Sequence, residues 1–139
     1  MTQNVDELFD TGLERYKAGE SIETLIPTFQ EVCNRTKKNS SAFTCLAWLY
    51  LLNDQAGLAL STAQRAVKLN PQDPQARVNL AVAMLDCGKK GVRQHIEIAG
   101  QIMMVADEMK DEIVQNIEDG LTRKPDWKSM ARVKAWLLE

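Results

Sequence analysis

The sequence predicts an all-α protein built from antiparallel helix pairs, and three observations lead to this fold class. Apolar residues recur three or four positions apart through most of the 139 residues, which is the period of an amphipathic helix. Glycine, or asparagine followed by proline, ends several of these periodic segments. Small and apolar residues also repeat 34 positions apart, in the pairs Ala42 and Ala76, Leu46 and Leu80, Ala47 and Ala81, and Tyr50 and Met84.

The best-formed unit, residues 40–74, resembles the tetratricopeptide repeat (TPR). Its two halves carry Leu46, Ala47 and Tyr50, then Ala59, Ala63 and Ala66, and Asn70-Pro71 ends it. The family pattern is W-x2-L-G-x2-Y, then A-x3-F, then P, with a period of about 34 residues. The resemblance covers roughly residues 5–105 and implies a right-handed α-solenoid. It divides the single domain 1–139 into repeats at 5–39, 40–73 and 74–105, followed by C-terminal capping helices at 106–139.

The helices themselves follow from periodicity and from their stop signals. Asn4 is the predicted N-cap of the first helix, Gly19 its stop, and Gly120 the stop of the seventh. Pro27 either lies in a first turn or kinks its helix. The helix after Val105 is either separate from the preceding one or continuous with it. The predicted segments are residues 5–17, 22–36, 41–52, 56–69, 74–88, 91–105, 106–121 and about 125–138.

The third unit departs from the repeat in its second helix. Arg93 and Glu97 stand where the middle unit has Ala59 and Ala63. A charged side chain does not fit a close helix contact, so this helix either shifts its register or packs differently.

Composition and charge argue against several classes of function. The formal net charge is −2, which gives no global attraction for nucleic acid. No apolar run approaches the roughly 18–20 residues of a membrane span, and the polar, acidic N-terminus does not resemble a secretory signal. Cys33, Cys45 and Cys87 have neither disulfide nor zinc spacing, so we expect reduced thiols and a cytoplasmic location.

The sequence also lacks the patterns of an enzyme or a cofactor-binding protein. It contains no glycine-rich phosphate loop and no cluster with metal-ligand spacing. His95 is the only histidine, and we interpret it as a structural or an exposed residue. We therefore expect no catalytic, cofactor-binding or metal-binding residues.

The resemblance implies that the first helix of each pair lines a concave groove that binds peptides. Carried over residue by residue, the groove consists mainly of apolar side chains. The candidate positions are Phe9, Leu13, Tyr16, Thr44, Trp48, Leu51, Leu52, Gln75, Val78, Asn79 and Val82. Family members that grip acidic C-termini use lysine, asparagine and arginine here, whereas only Asn79 could imitate part of such a clamp.

These residues predict a non-catalytic adaptor that binds a protein segment, either an amphipathic helix or an apolar extended peptide. Two alternatives remain open: a structural homodimer formed through the groove or the C-terminal helices, and a small chaperone or assembly factor that shields an apolar client segment. We expect the tail to cap the third unit and to leave Trp48 exposed for the partner.

Overall fold

The computed structural model describes residues 3–139, and within that range the chain forms eight α-helices and no strand. Consecutive helices pack against one another along the chain, from α1 against α2 to α5 against α6. The helices are α1 (Val5–Lys17), α2 (Ile22–Arg35), α3 (Ser40–Leu52), α4 (Ala56–Leu69), α5 (Pro74–Asp86), α6 (Arg93–Val105), α7 (Asp107–Arg123) and α8 (Lys128–Leu138).

Local sequence signals account for the ends of the early helices. The side chain of Asn4 accepts a hydrogen bond of 2.8 Å from the backbone N–H of Glu7, which confirms the predicted cap. Gly19 has a φ of +88°, the left-handed conformation that glycine adopts at little steric cost. Asp73 caps α5 and Pro74 occupies its first turn, where a missing N–H is tolerated.

Other boundaries differ from the prediction. Gly120 does not end α7, which continues to Arg123, so that prediction is wrong. The separate-helix alternative holds after Val105, because Ala106 is non-helical and interrupts the helical backbone. Pro27 is the sixth residue of α2 and therefore lies beyond its first turn. The last helix begins at Lys128, later than predicted.

Small residues bring the helices of each pair close together. Ala47 and Ala81 have no exposed surface, and Ala47 packs with Ala63 and Leu80. Gly12 stands at the same position of the first unit, where a Cβ would lie 2.9 Å from Cε2 of Phe29. The absence of a side chain at Gly12 therefore lets the large Phe29 ring fill the space that a larger residue would occupy.

The register-shift alternative is the one observed for α6. This helix begins 37 residues after α4 (93 minus 56), whereas α5 begins 34 after α3 (74 minus 40). The three extra residues lie in the turn that contains Gly88 and Gly91, both with positive φ. The shift places Ile96 and Met103, which are both buried, at the positions equivalent to Ala59 and Ala66, and it leaves Arg93 and Glu97 exposed.

The last two helices cover parts of the repeats. Helix α8 packs against α5 and α6 with Met130 and Val133 fully buried. Helix α7 packs against α5 and α6 as well, and buries Ile113 and Ile117. It crosses the face formed by the first helices α1, α3 and α5, which we call the groove face.

Candidate functional site

A cleft with a volume of about 480 Å³ opens on the groove face, between α1, α3 and α5 on one side and α7 on the other. Four of the five helices that line it come from the repeats, and the fifth is α7. The cleft is lined by Leu13, Tyr16, Lys17, Phe29, Thr44, Cys45, Trp48, Leu49, Gln75, Asn79, Gln115, Asn116, Asp119 and Arg123.

One side of the cleft is apolar. Leu13 and Cys45 are half-buried there, and both pack against the main core, in which Phe29 and Leu49 are buried. Burial raises the pKa of the Cys45 thiol to about 12, so this side chain stays protonated at neutral pH. Together these side chains provide an uncharged surface on which an aliphatic group can be desolvated.

Trp48 lies beneath α7 and is only 8% exposed, so the expectation of an exposed indole is wrong. Its Nε1 atom donates a hydrogen bond of 2.9 Å to the hydroxyl oxygen of Tyr16. Its ring lies 5.9 Å from that of Trp127, centroid to centroid. A Cβ on Gly120 would lie 2.8 Å from Cη2 of Trp48, so glycine at this position permits α7 to approach the indole.

A second set of contacts ties α7 to the first repeat. The Tyr16 hydroxyl donates to Oδ2 of Asp119, and Nε of Arg123 lies 3.1 Å from Oδ1 of the same carboxylate. The Arg123 guanidinium is also 4.4 Å from the centre of the Tyr16 ring. Burial and the hydrogen bond to Asp119 raise the pKa of Tyr16 to about 12, which keeps the phenol protonated and able to donate.

Side-chain amides connect α5, on one side of the cleft, to α7, which forms the opposite wall. Asn79 has no exposed surface and donates to the backbone carbonyl of Thr44 across 3.0 Å. Nε2 of Gln75 donates to Oδ1 of Asn79, at 2.8 Å, and Nδ2 of Asn116 donates to Oε1 of Gln75, at 2.9 Å. Within residues 3–139 the side chain of Gln115 forms no hydrogen bond, so this amide remains available to a peptide backbone.

Six of the eleven candidate groove residues come together at this cleft. They are Leu13, Tyr16, Thr44, Trp48, Gln75 and Asn79. Four others are buried in the core at 8% exposure or less: Leu51, Leu52, Val78 and Val82. Phe9 is half-buried and packs edge-on against Phe29, with 5.9 Å between ring centroids.

The residues that the sequence reasoning missed lie mainly on α7. Asn116, Asp119 and Arg123 are three and four positions apart, so they share one face of that helix. That polar spacing, with Gly120 on a neighbouring position, is the signal that could have indicated a helix packed closely on a polar and aromatic surface.

A second cavity of about 500 Å³ lies where the α7–α8 connection meets the ends of α3 and α5. Three of its five charged side chains, Asp54, Asp86 and Lys124, have partners in the chain. Lys124 is 2.8 Å from both the Leu51 carbonyl and the Asp54 carboxylate, and Trp127 donates to Asp86. These contacts anchor the segment after α7, which is why we do not take this cavity as the candidate site.

Two further properties concern the described range, residues 3–139. No helix in it is both long and apolar enough to cross a membrane. Nor does it contain a group of three or more histidine, cysteine, aspartate or glutamate side chains placed to hold a metal ion.

The antiparallel pairs, the small residues between them and the groove face define a TPR-like helical repeat fold, which confirms the fold class predicted from the sequence. The translocator chaperone SycD of Yersinia enterocolitica type III secretion has a similar structure, with a TM-score of 0.70 and 16% identity over 92% of this chain and 97% of SycD. SycD has also been solved in complex with a peptide of the translocator YopD (TM-score 0.59, 19% identity, 99% of this chain and 92% of that chain).

Other solved structures have a similar fold. The first TPR of Spaghetti (RPAP3), bound to the HSP90 peptide SRMEEVD, has a TM-score of 0.58 and 18% identity over 98% of this chain and 92% of that chain. MamA MSR-1 C2 has a TM-score of 0.64 and 17% identity over 96% and 78% of the two chains. No protein-family model and no curated protein matches the sequence.

Proposed function

We propose that this protein is a non-catalytic adaptor that binds a segment of another protein in the cleft between α7 and the first helices of the repeats. The observation that carries the proposal is the cleft itself. It joins an apolar surface at Leu13 and Cys45 to the amides of Gln75, Gln115 and Asn116. An aliphatic side chain suits the first part, and the backbone of an extended peptide suits the second.

The similar structures support this choice of ligand. SycD and the Spaghetti domain have the same fold, and each has been solved with a bound peptide. We assign Leu13 and Gln75 to the floor of the binding site, the buried Thr44 and Asn79 to the layer beneath it, and Tyr16 and Trp48 to the junction with α7. Trp48 is buried, so its role there is to position the wall of the cleft.

A small chaperone is the second candidate, and one observation favours it. The likeness to SycD, a chaperone, covers 92% of this chain and 97% of SycD. In that case the ligand is an apolar segment of a client that would otherwise aggregate. The three free cysteines support a reducing compartment such as the cytoplasm for either function.

A displayed library of random peptides, selected on the immobilised protein, tests the binding site. We expect the enriched peptides to bind wild type and Cys87→Trp equally and to bind Cys45→Trp at least about tenfold more weakly, because an indole at position 45 fills the cleft. Cys87 is a matched control, since it is also a half-exposed cysteine but lies outside the cleft. Gln115→Trp, on the exposed wall, is a second variant that leaves the core untouched.

Thermal melting checks that all variants are folded. If wild type and both cleft variants then bind the peptides equally, the binding site does not lie in the cleft. Failure to enrich any peptide would contradict the proposed function. Fusion of an enriched peptide to an aggregation-prone carrier then separates the two candidates, because a chaperone keeps the carrier soluble at equimolar ratio and an adaptor does not.

A further inference from the structure

Helices α6 and α7 are joined by a single residue. Ala106 has φ −142° and ψ 86° and serves as both the C-cap of α6 and the N-cap of α7. The sequence from Gln101 to Asp119 contains neither glycine nor proline, so nothing in the local sequence stops a helix there. One non-helical alanine therefore interrupts what would otherwise be a helix of residues 93–123.

The interruption leaves both helix ends without side-chain caps. Ala106 has no side-chain oxygen that could accept from the first N–H groups of α7, and the first backbone bond there is from Lys110 to the Ala106 carbonyl, at 3.0 Å. If Ala106 became helical, the N–H groups of Asp107, Glu108 and Met109 would pair with carbonyls in the last turn of α6. A continuous helix therefore gains backbone hydrogen bonds that the interrupted one gives up to water.

An apolar stripe lies across this junction and outside the packed core. Its members are four, three and four positions apart, the spacing of a helix–helix seam. Val105 is 86% exposed and Met109 43% exposed, while the two isoleucines are half-buried. The stripe consists of Ile98, Ile102, Val105 and Met109. In a continuous helix these residues would form one line, ready to pair with the same line of a second copy.

The contacts that hold α7 on the groove face do not depend on the chain connection at Ala106. Asp119 is hydrogen-bonded to Tyr16, Asn116 is hydrogen-bonded to Gln75, and Gly120 packs against Trp48. All three contacts join residues that are far apart in the sequence. An α7 from another molecule presents the same groups to the same partners. Only the α6–α7 connection decides which molecule supplies them.

We propose that two copies of this protein exchange α7 and α8, with Ala106 as the hinge. In the exchanged dimer α6 and α7 form one helix, each copy's α7 lies on the groove face of the other, and the two stripes pack together at the new interface. The partner is thus a second copy of this chain, and the proposal does not rest on the proposed function.

Asp107→Pro tests the exchange, because proline suits the observed monomer and not the exchanged dimer. Residue 107 is the first of α7, where proline is well tolerated, and the preceding Ala106 is already outside the α-helical region that proline disfavours. In a continuous helix the same proline would be internal. It would lower the equilibrium constant for forming that helix by more than about a hundredfold at each of the two hinges. Asp107→Ala is the matched control, since it also loses the carboxylate but permits the helix.

Each protein is refolded at high concentration and its mass is measured by light scattering after size exclusion. We expect wild type and Asp107→Ala to form a dimer that dissociates slowly on dilution, because α7 must leave one groove face to return to another. We expect Asp107→Pro to stay monomeric, with unchanged helicity by circular dichroism. A wild type that is monomeric throughout, or an Asp107→Pro dimer as abundant as that of wild type, would overturn the exchange.

Discussion

The contact between Gly120 and Trp48 gives the sharpest test of how α7 is placed. We consider Gly120→Ala, which adds one methyl group to α7. In an isolated helix this change stabilises by up to about 1 kcal/mol, because alanine has less backbone freedom to lose. In this structure the new Cβ would lie 2.8 Å from Cη2 of Trp48 and 3.2 Å from Cζ3 of Trp127.

Neither indole can move easily. Trp48 donates to Tyr16, Trp127 donates to Asp86, and both rings are at least 92% buried. Adding a methyl group to such a packed contact typically costs about 1–3 kcal/mol. The packing penalty offsets or exceeds the gain in helix propensity, so we expect Gly120→Ala to lower the free energy of unfolding by up to about 2 kcal/mol.

Gly57→Ala is the matched control. Gly57 lies on α4, and a Cβ there would meet no atom within 4 Å. We expect this variant to be more stable than wild type by up to about 1 kcal/mol. Urea unfolding followed by far-ultraviolet circular dichroism measures both. If Gly120→Ala were as stabilised as Gly57→Ala, α7 would not lie against Trp48, and the wall of the cleft would be misplaced.

Two other predictions concern the core and its pH dependence. Ala47→Trp or Ala81→Trp should lower the free energy of unfolding by more than about 3 kcal/mol, because both alanines are fully buried. The control Ala131→Trp, on the exposed face of α8, should not lower it. Unchanged melting temperatures of the first two variants would show that our repeat register is wrong. Burial and the neighbouring Arg77 lower the pKa of His95 below 6.5, and Arg77 donates to its Nδ1 atom at 2.9 Å. Because the unfolded chain then binds the proton more tightly, stability should fall as the pH drops below about 6.5, and His95→Gln should flatten this dependence; equal slopes in urea titrations of the two proteins would refute it.

The repeats could be predicted from the sequence because their signals are local. Asn4 and Asp73 cap helices through residues two or three positions away, and the spacing of Leu46 and Leu80 reports a stacked unit directly. The shift of α6 was predicted only as an alternative. Arg93 and Glu97 show that a strict 34-residue spacing fails in this helix, but they do not show which turn is longer.

The placement of α7 could not be predicted in this way. Its contact between Tyr16 and Asp119 joins residues 103 positions apart, and a hydrogen bond of that kind leaves no periodic trace. Periodicity identified Trp48 as part of an apolar face, which it is. It could not distinguish a face covered by the same chain from one left open to a partner, because both require the same apolar residues.

The composition of α3 explains why some cover on the groove face is required. Nine of its thirteen residues are buried, among them Trp48 and Leu51, so this helix has apolar side chains on nearly every side. Neighbouring repeats cover only part of that surface, and an uncovered remainder would be a large exposed patch. Helix α7 covers the part around Trp48 and leaves Cys45 half-exposed beside Leu13. The position of α7 therefore decides how much of the groove face stays exposed.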